Sequence, residues 1–228
     1  MKKKYLGVVL AALVISLSMA GCAGVSRSGD KELLYVALGA SDAVGIGAIP
    51  LKKGYVFRIK NALEDKQQAV TLLNLGVPSV RINTVEPILD KLLHTGTQPD
   101  LVTIWLGSNE IINGDDPEDF ETRLEKILAQ LREHTSAVIV IADIPDLTQI
   151  PRFVDHPSKA VTEERIEAFN EVIEEQADEF DAPIARLSEL ELVDELVSDI
   201  DGFHPNNNGH RIIAEQFLKI IFDEFDLP

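Results

Sequence analysis

Five short apolar runs alternate with stretches of helical periodicity, and this alternation limits the fold more than any other feature of the sequence. The runs are Leu33–Leu38, Ala69–Leu75, Leu101–Leu106, Ala137–Ile144 and a weaker one, Ala182–Leu187. The first three close on Gly39, Gly76 and Gly107; the fourth is interrupted only by Asp143 and stopped by Pro145. Short continuous apolar runs rich in β-branched residues suit strands buried on both faces, as in a parallel sheet. Between them, Asp116-Pro117 opens a helix to about Glu133, with Phe120, Leu124, Ile127, Leu128 and Leu131 on one face. A second starts at Thr162 and carries Ile166, Phe169, Val172 and Ile173; a third, which Asn208 is placed to cap, carries Ile212, Ile213, Phe217, Ile220 and Ile221. The pattern predicts an α/β sandwich with a parallel sheet, and 228 residues suit one such domain. In open sheets of this kind ligands bind beyond the carboxyl ends of the strands. Ser41 follows the first run, and Ser108 and Asn109 follow the third. The functional site is expected along that edge.

Residues 1–21 read as a targeting segment rather than as fold. Lys2, Lys3 and Lys4 precede an apolar stretch, Leu6–Leu17, that is short for a bilayer span. Ser18-Met19-Ala20-Gly21-Cys22 resembles a bacterial lipobox with Met19 in the usual leucine position, which implies cleavage before Cys22 and lipidation of its thiol. An ordinary signal peptide or an uncleaved anchor is the alternative. Cys22 is the only cysteine, so no intramolecular disulfide can form. Residues 22–30 then form a tether and residues 31–228 the domain. The expected location is the outer face of a bacterial cell membrane, or the periplasm or outer membrane of a Gram-negative cell. The formal charge of −17 disfavours nucleic acid and anionic lipid head groups, because attraction to phosphate needs clustered Lys and Arg.

Gly39-Ala40-Ser41-Asp42 lies at the first strand-to-helix turn, where a serine hydroxyl can reach the sheet edge beside backbone N–H groups. Serine needs a base to become a nucleophile, and Asp201-Gly202-Phe203-His204-Pro205 supplies a histidine with a carboxylate three residues before it. Such a carboxylate can accept one ring N–H and fix the tautomer. Asn109, in Gly107-Ser108-Asn109-Glu110, offers a side-chain N–H₂ to a developing oxyanion, and Gly76 offers a backbone N–H.

Serine, glycine, asparagine and histidine in this order resemble the SGNH (GDSL-type) hydrolase family over nearly the whole chain from about Leu33. The resemblance implies a flavodoxin-like three-layer α/β/α sandwich with a mainly parallel five-stranded sheet. It also implies Ser41 as nucleophile, His204 and Asp201 as the rest of a triad, and the N–H groups of Ser41, Gly76 and Asn109 as the oxyanion hole. Two departures stand out. Ala40 replaces the acid of the family's Gly-Asp-Ser block, with Asp42 as a partial substitute; Glu110 replaces the aspartate after the asparagine.

The other histidines carry less. His94, His134 and His156 lack the partner spacing of a metal site, and His210 reads as part of the last helix. Trp105 reads as core, and no glycine-rich phosphate loop is present. Residues 145–160, with Pro145, Pro151 and Pro157, read as a long loop near the site. The expectation is a monomeric, cofactor-free and metal-free serine esterase or lipase acting on a small-molecule or lipid ester or thioester. A carbohydrate O-deacetylase of the same fold and a non-catalytic ligand-binding surface lipoprotein are the alternatives.

Overall fold

Along the first strand, Leu33, Tyr35 and Ala37 face one core while Val36 and Leu38 face another, the period-two division that a strand buried on both faces requires. The computed structural model of the protein describes residues 32–66, 68–191 and 194–227. In chain order the elements are β1 (Leu33–Gly39), α1 (Ser41–Val44), α2 (Tyr55–Asp65), β2 (Val70–Asn74), α3 (Ile82–His94), β3 (Leu101–Trp105), α4 (Ser108–Asn113), α5 (Pro117–His134), β4 (Val138–Ala142), α6 (Pro151–Asp155), α7 (Glu163–Glu179), β5 (Ile184–Ala185) and α8 (Asn207–Glu224). The five strands form one sheet in the order β2-β1-β3-β4-β5, and every neighbouring pair is parallel.

Two hydrophobic clusters cover the two faces of the sheet. On one, α2 and α8 bring Tyr55, Ile59, Leu63, Ile213, Phe217 and Ile221 against Tyr35, Ala37, Val140 and Ala142. On the other, α3, α5 and α7 bring Leu89, Leu124, Leu128 and Phe169 against Val36, Leu38, Val102, Ile104, Ile139 and Ile141. This is the expected three-layer α/β/α sandwich. The chain leaves β1 toward β2 and returns across it to β3, so the strand order reverses between β1 and β3. A crevice opens at such a reversal.

The helix starts follow their caps, with one correction. Asp116 accepts from the Glu118 N–H at 3.0 Å and Pro117 takes the first helical position; Thr162 accepts from the Arg165 N–H at 3.3 Å. The last helix is capped by Asn206 instead of Asn208. Asn206 Oδ1 accepts the N–H groups of Asn208 and Gly209 at 2.9 and 3.1 Å, while the Asn208 side chain turns to the Arg211 guanidinium. The segment 145–160 is also more ordered than a loop, holding a 3₁₀ turn at Leu147–Gln149 and α6. Helices α2 and α3 complete the two covering layers without having stood out in the sequence. Cys22 and the targeting segment lie outside the described residues. Among the described residues no helix is long and apolar enough to cross a membrane.

Candidate active site

The turn after β1 puts Ser41 at the first position of α1, a single helical turn closed by Gly45 in the left-handed conformation. Ala40 stands at the cap position with no side-chain hydrogen bond to give. The turn is held from elsewhere: Asn74, at the end of β2, donates from Nδ2 to the Ala43 carbonyl at 2.6 Å. Ser41 is buried, and its Oγ lies 2.9 Å from His204 Nε2, across 163 residues of chain.

His204 is fixed from two sides. Its Nδ1 lies 2.5 Å from Asp201 Oδ2, and Asp201 Oδ1 accepts the backbone N–H groups of Phe203 and His204 at 3.0 and 3.1 Å. With Nδ1–H donating to the carboxylate, a neutral ring presents the Nε2 lone pair to the Ser41 hydroxyl. Burial acts to raise the Asp201 carboxyl, but its hydrogen bonds from His204 and the two backbone N–H groups outweigh that and hold it below the usual carboxylate range. Behind the ring runs the segment 46–50. Gly47 has φ of +91°, and a Cβ there would stand 2.9 Å from His204 Cβ and 2.2 Å from the Pro205 carbonyl oxygen, so only glycine lets this segment back the histidine.

The β3 end contributes the opposite wall. Asn109 Nδ2 donates to the Val80 carbonyl at 2.8 Å, which orients the amide and leaves a second N–H for a ligand. Ser41, Asn109, Val80, Trp105, Leu106 and Phe203 line a narrow cleft, with only about 10 Å³ of room for a water-sized molecule. Trp105 therefore serves both as core, edge-on to Tyr55 at 5.5 Å, and as cleft wall.

Gly76 is the sequence-derived site residue that the fold places differently. Its N–H donates to Asn74 Oδ1 at 2.9 Å, so that donor is already committed. A Cβ at Gly76 would stand 2.8 Å from Ala43 Cβ and 3.0 Å from the Val44 nitrogen. Gly76 thus packs against the back of α1, supporting the turn that carries Ser41.

Three further residues shape the site. Glu110 is buried, and its carboxylate accepts the Ile82 N–H at 2.5 Å and the Gly107 N–H at 3.1 Å, joining the β3 turn to the start of α3. Burial raises its carboxyl despite those bonds. Asp42 is raised to about 6 by burial, opposed by the nearby His204. His210 is a buried support: its Nδ1 accepts the Tyr55 N–H at 3.3 Å and its Nε2–H donates to the Ile46 carbonyl at 2.9 Å. In the sequence Glu110 stands out only as the acid after Asn109, where the resembled family has an aspartate; its bonds to Ile82 and Gly107 depend on the fold.

A serine hydroxyl against an oriented imidazole, with amide donors beside it, is an arrangement suited to nucleophilic attack on a carbonyl. Over 128 residues the chain is 27% identical to an arylesterase of Vibrio mimicus, a match covering 56% of this chain and less than two thirds, 62%, of the relative. Its fold is similar to that of the psychrotrophic esterase EstA from Pseudoalteromonas sp., at TM-score 0.69 and 18% identity, covering 86% of this chain and 100% of that one. The lipase/acylhydrolase from Enterococcus faecalis gives TM-score 0.68 at 19% identity, covering 84% and 96% respectively. Residues 37–212, most of the described domain, match the GDSL-like Lipase/Acylhydrolase family, and the chain belongs to that family.

Proposed function

We propose that this protein is a serine ester hydrolase that works through an acyl-enzyme on Ser41. The observation that carries the reading is the continuous hydrogen-bonded chain from Ser41 Oγ through His204 to Asp201. Ser41 Oγ attacks the carbonyl carbon of an ester or thioester as His204 Nε2 takes its proton. The Ser41 N–H, at the start of α1, and the second N–H of Asn109 Nδ2 face the oxygen that becomes negative. Protonated His204 then passes the proton to the leaving alcohol or thiol, and Asp201 stabilises the imidazolium meanwhile. Water then attacks the acyl carbon as His204 Nε2 takes its proton, and the C–Oγ bond breaks as His204 returns that proton to Ser41 Oγ, releasing the acid and the free serine.

The test is Ser41→Ala against p-nitrophenyl acetate, with fluorophosphonate labelling of the folded protein. Loss of a triad member costs a factor on the order of 10⁴–10⁶ in kcat. Retained turnover would overturn the assignment of Ser41, and absence of both turnover and label in the wild type would favour a ligand-binding protein.

The same reading includes export and lipid attachment at Cys22, supported by Lys2–Lys4, the apolar stretch that follows and the small residues before the cysteine. Palmitate labelling lost in Cys22→Ser tests it.

A further inference from the structure

His204 is bracketed by two stretches of chain, and they are held in different ways. On one side the bracket is hydrogen-bonded: the Ser198 N–H donates to the His204 carbonyl at 2.8 Å, and the Asn206 N–H to the Leu196 carbonyl at 2.9 Å. On the other side is the segment 46–50, which meets the histidine by close packing at Gly47. That same segment reaches Ser41, because the Ile46 N–H donates to the Ser41 carbonyl at 3.0 Å. One short stretch of backbone thus touches both groups that must meet, the serine turn at its start and the back of the histidine in its middle.

The side chains of this segment do little to hold it there. Ala48 is buried and Ile46 half-buried, whereas Ile49 is 67% exposed and Pro50 is exposed as well. Burial stabilises in proportion to the apolar area removed from water, so Ile49 contributes little by packing. The hold comes from the start of α8. Asn207 uses both ends of its side-chain amide on one residue: Oδ1 accepts the Ile49 N–H at 2.8 Å and Nδ2 donates to the Ile49 carbonyl at 2.9 Å. Three residues on, His210 Nε2–H donates to the Ile46 carbonyl at 2.9 Å. Arg58 braces Asn207 from α2, donating from Nη2 to the Asn207 carbonyl at 3.0 Å and from Nε to the Lys53 carbonyl at 2.6 Å.

We infer that Asn207 is a positioning residue for ester hydrolysis: its two-ended grip on Ile49 keeps the segment 46–50 against His204 and so sets the approach of Nε2 to Ser41 Oγ. The inference rests on the proposed esterase reading for the reaction, and on the hydrogen bonds alone for the geometry. Asn207 reaches the reacting atoms only through Ile49 and Gly47. Its two neighbours do other work: Asn206 caps α8, and the Asn208 side chain turns to Arg211. Of three successive asparagines, the middle one grips the segment. A displacement of about 1 Å in a reacting group can cost on the order of 10²-fold in rate, and a partly released segment is expected to lose a fraction of that.

The experiment compares the full chain with Asn207→Ala and Asn207→Asp, and with Asn208→Ala as the control for the helix start. Asn207→Asp keeps an acceptor for the Ile49 N–H and loses the donor to its carbonyl, so it breaks the grip with the least change in size. Turnover of p-nitrophenyl acetate is measured per folded molecule, below the melting transition of the least stable protein. Both Asn207 variants should lose about tenfold in kcat with KM within about twofold, while Asn208→Ala stays within about twofold in both. In ¹⁵N-histidine-labelled protein, the Nδ1–H resonance of His204 should be sharp in the wild type and in Asn208→Ala. In the Asn207 variants it should broaden by exchange as the ring gains freedom. Losses that vanish once corrected for folded fraction, a matching loss in Asn208→Ala, or an unchanged His204 resonance would overturn the proposal and leave Asn207 a part of the helix start alone. If the wild type does not turn over the ester, the esterase reading falls separately, and the His204 resonance still decides the role of Asn207.

Discussion

The carboxylate of Glu110 accepts the backbone N–H of Ile82 at 2.5 Å from inside the protein, 28 residues along the chain. Its second oxygen takes the Gly107 N–H, so one side chain fixes both the turn that presents Asn109 and the segment around Val80 that orients it. Glu110→Ala leaves two buried N–H groups unpaired and a cavity behind them. Such a loss is expected to cost about 2–5 kcal/mol of stability. Denaturant unfolding reads the stability loss, and ester turnover well below the melting transition should also fall, because Asn109 loses its support.

Asn109 and Gly76 separate in kinetics. Removing an oxyanion donor costs on the order of 10²–10³ in kcat, and Asn109→Ala should show that loss with little change in KM. Gly76→Ala keeps its backbone N–H but drives a methyl into Ala43, so its expected signature is a lowered melting temperature. A larger catalytic loss in Gly76→Ala than in Asn109→Ala, at equal folded fraction, would return the oxyanion role to Gly76.

The contrast between these two residues shows what the sequence carries. The apolar runs, with their β-branched content and their glycine or proline ends, place β1, β3 and β4 to within a residue or two, and the amphipathic stripes place α5, α7 and α8. Ser41, His204 and Asp201 follow from residue chemistry at strand ends and in one loop. Contacts that depend on three dimensions do not. Nothing in Asn74-Leu75-Gly76 says that the asparagine side chain captures the glycine N–H, because that depends on how α1 packs against the end of β2. Asn206 and Asn208 are equal candidates for the cap until the local backbone chooses one. Helix α2 follows Gly54 with no capping side chain, and α3 contains Pro87, so neither has the start signals that mark α5 and α7. His210 reads from the sequence only as part of the last helix, and it is the packing of α8 on α2 that buries it.

That burial has a consequence in pH. Desolvation lowers His210 to about 4, offset in part by its bond to the Ile46 carbonyl and reinforced by the charges of Arg58 and His204. In the unfolded chain the ring protonates near its ordinary value, about 6.5. The stability gained from holding it neutral is complete above that pH and is lost as pH falls toward 4, up to about 3 kcal/mol. His210→Gln should be less stable at pH 8 through lost packing, but its stability should fall less steeply between pH 6.5 and 4. Parallel slopes for the two proteins in urea unfolding across that range would refute the assignment.

Asp42 should act in the opposite sense. Its carboxyl is raised to about 6 by burial beside the Ser41 turn, while in the unfolded chain it ionises near 3.8. Folding therefore disfavours its charge, and the contribution worsens as pH rises from about 4 through 6. Asp42→Asn removes that cost, so the variant should match wild type near pH 4 and be more stable at pH 8 by on the order of 1–3 kcal/mol. The gain is expected to come with reduced turnover, since Asp42 supplies charge close to His204 and Ala40 supplies none. Urea unfolding at pH 4 and pH 8, with acetate turnover at pH 8, checks both halves. A variant that is more stable and equally active would leave Asp42 with no part in supporting the turn that Ala40 leaves uncapped.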